Sequence, residues 1–140
     1  MRGRPKFMKN EAFRQVHQYS NPAPVLIFRH TKGRNTGVDA HWHNDLEINL
    51  VSKGQVRFYV GGQKKDRAAG GVCLVSSGEV HSADPVFEEM EDNTAGITLV
   101  IQHDFLTSVI PNYDRITFTD PLKKEEEKIA AYLARIEELY

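Results

Sequence analysis

The chain has 140 residues, with 18 Lys and Arg against 19 Asp and Glu and a formal charge of −1. A chain of this length buries roughly 70% of its unfolded surface, enough for one core without disulfide staples, and its 40% hydrophobic share excludes a fibre or a disordered chain. No stretch approaches the ~18 consecutive apolar residues of a membrane-spanning helix.

Charge is uneven along the chain. Residues 1–14 hold Arg2, Arg4, Lys6, Lys9 and Arg14 against Glu11 alone, so residues 1–20 are expected to form a flexible basic arm rather than a phosphate-binding face. The start Met1-Arg2-Gly3-Arg4-Pro5-Lys6 has no apolar segment behind it and does not read as a secretion signal. Cys73, the single cysteine, lies between Val72 and Leu74 and reads as a small buried hydrophobe of a reducing compartment. A cytoplasmic protein without membrane contact is expected.

From residue 24 to about 101 the pattern is that of short strands. Val25-Leu26-Ile27-Phe28 is an apolar run closed by the loop His30 to Gly37, and Leu46 to Val51 is a second run ended by Ser52-Lys53-Gly54. Val56-Arg57-Phe58-Tyr59-Val60 alternates and stops at Gly61-Gly62, a two-residue hairpin signal because a type I′ turn needs φ > 0 at both positions. Lys64 to Arg67 reads as the return strand, Val72 to Val75 as another strand turned by Ser76-Ser77-Gly78, and Ala95 to Ile101 as the last. Short strands at intervals of roughly ten residues indicate an all-β sandwich or barrel.

The tail changes period. Residues His103 to Ile110 suit one or two helical turns before Pro111. Thr119-Asp120-Pro121 reads as an N-cap with proline at the first helical position. Leu122, Ile129, Leu133, Ile136 and Tyr140 then recur at helical spacing, with Glu125-Glu126-Glu127 near the positive end of the dipole. The organisation expected is an arm over 1–20, a barrel over 21–120 and a helix over 121–140. The apolar stripe of that helix is either a cover for the barrel or a dimer seam, and the seam is the reading taken.

His41-Trp42-His43-Asn44-Asp45-Leu46-Glu47 is the stretch richest in chemistry. On one straight strand His43 and Glu47 would stand ~13 Å apart, but Asn44-Asp45 is a good turn pair. A reversal there returns Glu47 beside His41 and His43, and a later strand would add His81. Three imidazoles and a carboxylate facing into a barrel suit Mn, Fe, Ni or Zn with coordination positions left open. The plainer alternative makes the four residues hydrogen-bonded pocket and rim groups. Trp42 shares its face with Leu46, Ile48 and Leu50 and reads as core. Arg57 and Tyr59, opposite Val56, Phe58 and Val60, are candidates for lining a pocket and holding an anionic or sugar ligand, or else solvated surface.

These residues resemble a known pattern. Gly37-x3-His41-x-His43-x3-Glu47-x6-Gly54 resembles the first cupin motif, and Gly71-x5-Ser77-x3-His81 the second, with serine where cupins usually carry proline. Beyond them, Ile97-Thr98-Leu99-Val100-Ile101 with His103-Asp104-Phe105-Leu106, Ile110-Pro111 and Phe118 is similar to the distal half of the ligand-sensing domain of AraC-type bacterial transcription regulators. The resemblance implies a mainly β, cupin-like barrel (a double-stranded β-helix or jelly roll) followed by helices. It implies the sensing and dimerisation domain of such a regulator, whose DNA-binding half would lie outside this chain, since only one long helix follows residue 120. The expected partners are a small-molecule effector, most simply a sugar or organic acid, a second copy of the chain, and DNA only through the missing half. The pocket would draw on His41, His43, Glu47, Arg57, Tyr59 and His81, without a required metal. No nucleophile elbow or phosphate loop is present, so catalysis is not the first reading. The alternative is a stand-alone metal-dependent cupin enzyme, an oxygenase or isomerase.

Overall fold

The computed structural model describes residues 12–19, 23–86 and 91–140. Among the described residues, nine strands, two α-helices and a short 3-10 helix (Tyr113–Arg115) occur: in chain order β1 (Phe13–Arg14), β2 (Val25–His30), β3 (Val38–Trp42), β4 (Leu46–Lys53), β5 (Gln55–Val60), β6 (Gln63–Ala68), β7 (Val72–Val75), β8 (His81–Val86), β9 (Ala95–Ile101), α1 (His103–Val109) and α2 (Lys123–Leu139). They form a five-stranded sheet ordered β1-β3-β8-β5-β6 and a four-stranded sheet ordered β2-β9-β4-β7. All pairings are antiparallel except β1 with β3. This is the mainly β, cupin-like jelly roll with C-terminal helices that the motifs imply.

Alternation decides which side chains go inside, because successive residues of a strand face opposite ways. On β5, Val56, Phe58 and Val60 point inward, and Phe58 and Val60 join Val51, Cys73 and Val75 in the core between the sheets. The Cys73 thiol is fully buried, and burial pushes it up to about 12, which leaves it an inert hydrophobe. The hairpin between β5 and β6 closes as expected, with Val60 opposite Gln63 and Gly61 and Gly62 at φ 57° and 84°.

The four-stranded sheet is apolar on its outer face and mixed on its inner one. Glu47, Asn49 and Val51 of β4 face the interior, whereas Leu46, Ile48 and Leu50 face outward beneath the helices. Leu50, Val72 and Ile97 bury against Leu133 of α2, flanked by Ile129, Ala130, Ala134 and Ile136. Leu46 buries with Leu106 of α1 and Tyr113. Polar contacts hold α2 in place as well: the Val72 amide donates to Glu126 Oε2 and Ser52 Oγ to Glu137 Oε2, both at 3.0 Å.

This placement corrects the seam reading. Leu133, Ile129 and Ile136 cover the chain's own sheet, and of the predicted stripe only Leu122 and Tyr140 remain exposed, beside Tyr132 and Leu139. The helix also begins later than expected. Leu122 occupies the N-cap position without a side-chain cap, and Asp120 is instead engaged by Lys65 and Arg67 at 3.1 Å each. Trp42 is likewise not core: it is half-buried with the Arg14 guanidinium 5.4 Å from its ring centre.

The basic start of the expected arm, residues 1–11, lies outside the described residues. Residues 12–19 lie against the barrel: β1 adds to the edge of β3, and the Gln15 amide donates to Trp42 O at 2.9 Å. Strand β8 has no alternating signature and contains Pro85. Proline is tolerated there because β3 pairs with β8 only from Ala83 to His81, so Pro85 has a sheet neighbour on one side alone.

Candidate metal centre and cavity

The turn at Asn44-Asp45 carries the chain from one sheet to the other, rather than closing a hairpin, and that crossing assembles the site. His41 on β3 and His81 on β8 are register partners, with ring centres 4.1 Å apart. His43 follows β3 directly, and Glu47 comes back on β4 from the facing sheet. The donor atoms of His41, His43, Glu47 and His81 all lie within 4.8 Å of one another. The three imidazoles are 1–5% exposed.

The hydrogen bonds around the rings prepare them as ligands. His41 Nδ1 donates to Asp39 O at 2.8 Å, His43 Nδ1 to Asp45 O at 2.9 Å and His81 Nδ1 to Glu79 O at 2.9 Å. A proton fixed on Nδ1 turns Nε2 of each ring inward as the atom available to a metal, the arrangement that metal-binding histidines adopt. His81 Nε2 is buried with no hydrogen-bond partner, and its nearest ion-pair contact is Glu47 Oε1 at 3.5 Å. His43 Nε2 is 3.1 Å from the same oxygen. Donors bound to one cation at ~2.1 Å stand roughly 3.0–3.4 Å apart in octahedral or tetrahedral arrangements, so the 3.1 Å separation falls within that range and the 3.5 Å one within about 0.1 Å of it. The residues present therefore fit a divalent metal.

Charge in the cluster is polarised. Burial and the neighbouring His81 push the His41 imidazole down to about 4, so it is neutral at pH 7. Burial also opposes charge on His81, but the nearby negative charge of Glu47 outweighs it and raises that imidazole. Burial would raise the Glu47 carboxyl, yet His43, His81 and Asn49 together hold it well below the carboxylate range.

The cluster lies at one end of a cavity of about 340 Å³ between the sheets. Val56, Phe58 and Ala83 line its apolar side, while His30, Asn49 and Thr98 line a polar one. Of the six predicted pocket residues, His41, His43, Glu47 and His81 converge. Arg57 and Tyr59 do not: they occupy the outer face of β5, where Arg57 Nε pairs with Asp66 Oδ1 at 2.8 Å. The apolar partners alternating with them fill the interior instead.

Several site residues carry no signal in the sequence taken alone. His17 approaches the His43 ring at 4.7 Å between centres and donates from Nδ1 to Asp45 Oδ2 at 2.9 Å. Phe13 stacks on His41 at 5.5 Å. Asp45 Oδ1 also accepts the His103 amide at 2.8 Å, at the start of α1. Asn49 was readable in principle, as a polar residue in the otherwise apolar run Leu46 to Val51 and in phase with Glu47. Ser77, which stands in the usual proline position, donates its hydroxyl to Asn44 O and ties the second motif to the crossing turn.

Comparison with known proteins gives a family match. The model of the AraC-like ligand binding domain matches residues 22–139. No curated protein matches the chain significantly. Among solved structures, a predicted oxalate decarboxylase from Thermotoga maritima is 27% identical, with a TM-score of 0.43 over 47% of this chain and 56% of that one. An oxalate decarboxylase of Bacillus subtilis is 16% identical, with a TM-score of 0.47 over 63% of this chain and 24% of that one. An RmlC-like cupin from Shewanella frigidimarina is 20% identical, with a TM-score of 0.44 over 58% and 68%. The matched regions thus span about half of the Thermotoga chain and a quarter of the Bacillus one.

Proposed function

Because this chain belongs to the family of AraC-like ligand binding domains, we propose that it is the small-molecule-sensing and dimerisation domain of an AraC-type transcription regulator whose DNA-binding half lies outside it. The observation that carries this reading is the cavity of about 340 Å³, largely apolar with a few convergent polar groups, as ligand sites are. Connections reached through His17, which lines the cavity, supply an output. Asp45 touches the N-terminal segment through His17, the start of α1 through His103 and, by its carbonyl, the His43 ring. A ligand that reseats any one of these acts on the other two, and biases the packing of the N-terminal segment and helices by its differential affinity for the two arrangements. A second copy would meet the outer face of α2, where Tyr132, Leu139 and Tyr140 stand exposed.

A divalent metal on His41, His43, Glu47 and His81 would supply a Lewis-acidic anchor for a ligand oxygen. The chain's own residues orient the three rings through backbone carbonyls and exclude water by burial. That same geometry favours a second reading, a metal-dependent enzyme of the oxygenase or isomerase kind. Elemental analysis of protein purified without chelators, paired with thermal shift, separates the two. A melting temperature raised by a sugar or organic acid, with no turnover, supports sensing. Near-stoichiometric Fe, Mn or Ni with substrate turnover lost on His43→Ala replaces it with the enzyme.

A further inference from the structure

The polar side of the cavity is an ordered relay whose direction follows from chemistry. A carboxylate only accepts hydrogen bonds, so Asn49 must present Nδ2 to Glu47 Oε2, 2.9 Å away. The same Nδ2 has its remaining hydrogen toward Cys73 O at 3.4 Å. Asn49 Oδ1 is then an acceptor and takes the Thr98 hydroxyl proton at 2.6 Å. Thr98 has one proton and has given it, so its contact with His30 Nε2 at 2.7 Å requires the proton to sit on His30. Burial pushes the His30 imidazole down, against the pull of Glu47 and Glu137, which keeps the ring neutral with Nδ1 as a bare lone pair.

Every donor of this wall is thereby consumed within the wall. What remains toward the cavity is acceptor capacity: Nδ1 of His30, the second lone pairs of Thr98 Oγ1 and Asn49 Oδ1, and the Glu47 carboxylate at the end. Asn49 and Thr98 are 6% and 8% exposed, so water competes little for them. We propose that the His30–Thr98–Asn49 relay sets the preference of this wall of the cavity, favouring ligands that bring hydroxyl or N–H groups to it over those that turn a carboxylate toward it, while Arg34 lines the cavity elsewhere. A buried acceptor facing a ligand acceptor leaves both unpaired, whereas a donor satisfies it. The inference rests on the sensing reading and, among sugars and organic acids, favours those that carry a donor for this wall.

The test uses the full chain as purified and two probes of similar shape, benzyl alcohol and benzoate, whose ring suits the apolar side. First, nitrogen-15 NMR of the histidine rings reads His30 directly: a neutral ring protonated at Nε2 at pH 7 is expected, and an Nδ1–H tautomer or an imidazolium overturns the relay. Second, titrations followed at the Asn49 side-chain amide and at Thr98 are expected to show benzyl alcohol perturbing both at several-fold lower concentration than benzoate. Thr98→Val frees the His30 Nε2–H as a donor and narrows that preference at least threefold. Benzoate perturbing these two residues as readily as the alcohol overturns the proposal, whatever it does near His81. Neither probe perturbing any lining residue refutes ligand binding in the cavity and the proposal with it, while the ring measurement still decides the relay by itself.

Discussion

Replacing Leu133 with alanine separates the two roles open to the long C-terminal helix. Leu133 is 3% exposed and packs on Leu50, Val72 and Ile97 of the four-stranded sheet. Alanine is at least as good a helix former as leucine, so the substitution leaves α2 helical and removes only the packed side chain. Buried Leu→Ala changes cost about 2–5 kcal/mol, depending on how far the site collapses. A helix lying on a sheet can settle toward the gap, which places the expected loss at about 2–4 kcal/mol. For a chain of this size that is a fall of roughly 6–12 °C in melting temperature. Urea unfolding at two protein concentrations tenfold apart gives the assay, with Tyr132→Ala, at a side chain 73% exposed, as the control expected to stay within about 0.5 kcal/mol. Because Leu133 covers its own chain, the loss must be the same at both concentrations. A loss below about 1 kcal/mol, or one that grows on dilution together with a halved mass in light scattering, would refute the packing described and restore the seam.

Converting Gly61-Gly62 to Val-Val forces β-branched residues to φ near 57° and 84°, at about 1–3 kcal/mol for each strained site, and the urea midpoint should fall accordingly. Divalent metal added to the purified chain should bind at pH 7.5 and be released as the pH falls and the imidazole ligands protonate; atomic absorption after dialysis at each pH measures it, and unchanged retention in His43→Ala with His81→Ala would exclude the histidine cluster. Burial raises the Asp92 carboxyl, but hydrogen bonds from Thr94 and the Asn35 amide outweigh it and hold it below the usual carboxylate value. Its stabilising contribution is therefore present above about pH 4 and disappears as the pH falls through its depressed value. The gap in melting temperature between wild type and Asp92→Asn should be open at pH 7 and close toward pH 3; an unchanging gap would contradict the assignment.

Local chemistry suffices for the hairpin at Gly61-Gly62, since two adjacent positive φ angles admit little else. It also suffices for the alternation of Val56, Phe58 and Val60, and for the placement of His41, His43, Glu47 and His81 around one centre once Asn44-Asp45 is read as a turn. Each of these depends on residues close in sequence or on a motif with set spacing. Period alone does not say what lies beyond a face. The stripe Ile129, Leu133 and Ile136 fits a sheet or a second helix equally well by its spacing, and only the outward Leu50, Val72 and Ile97 decide that the sheet of the same chain takes it. Arg57 and Tyr59 share a face in any strand, but their side of the barrel is settled by which alternation the core absorbs. The polar wall is the least legible feature of all. His30 and Thr98 are 68 residues apart and Thr98 and Asn49 are 49 apart, and they become neighbours only because β9 lies between β2 and β4. Strand order is a property of the packed sheets, set by long-range burial, and no local spacing encodes it.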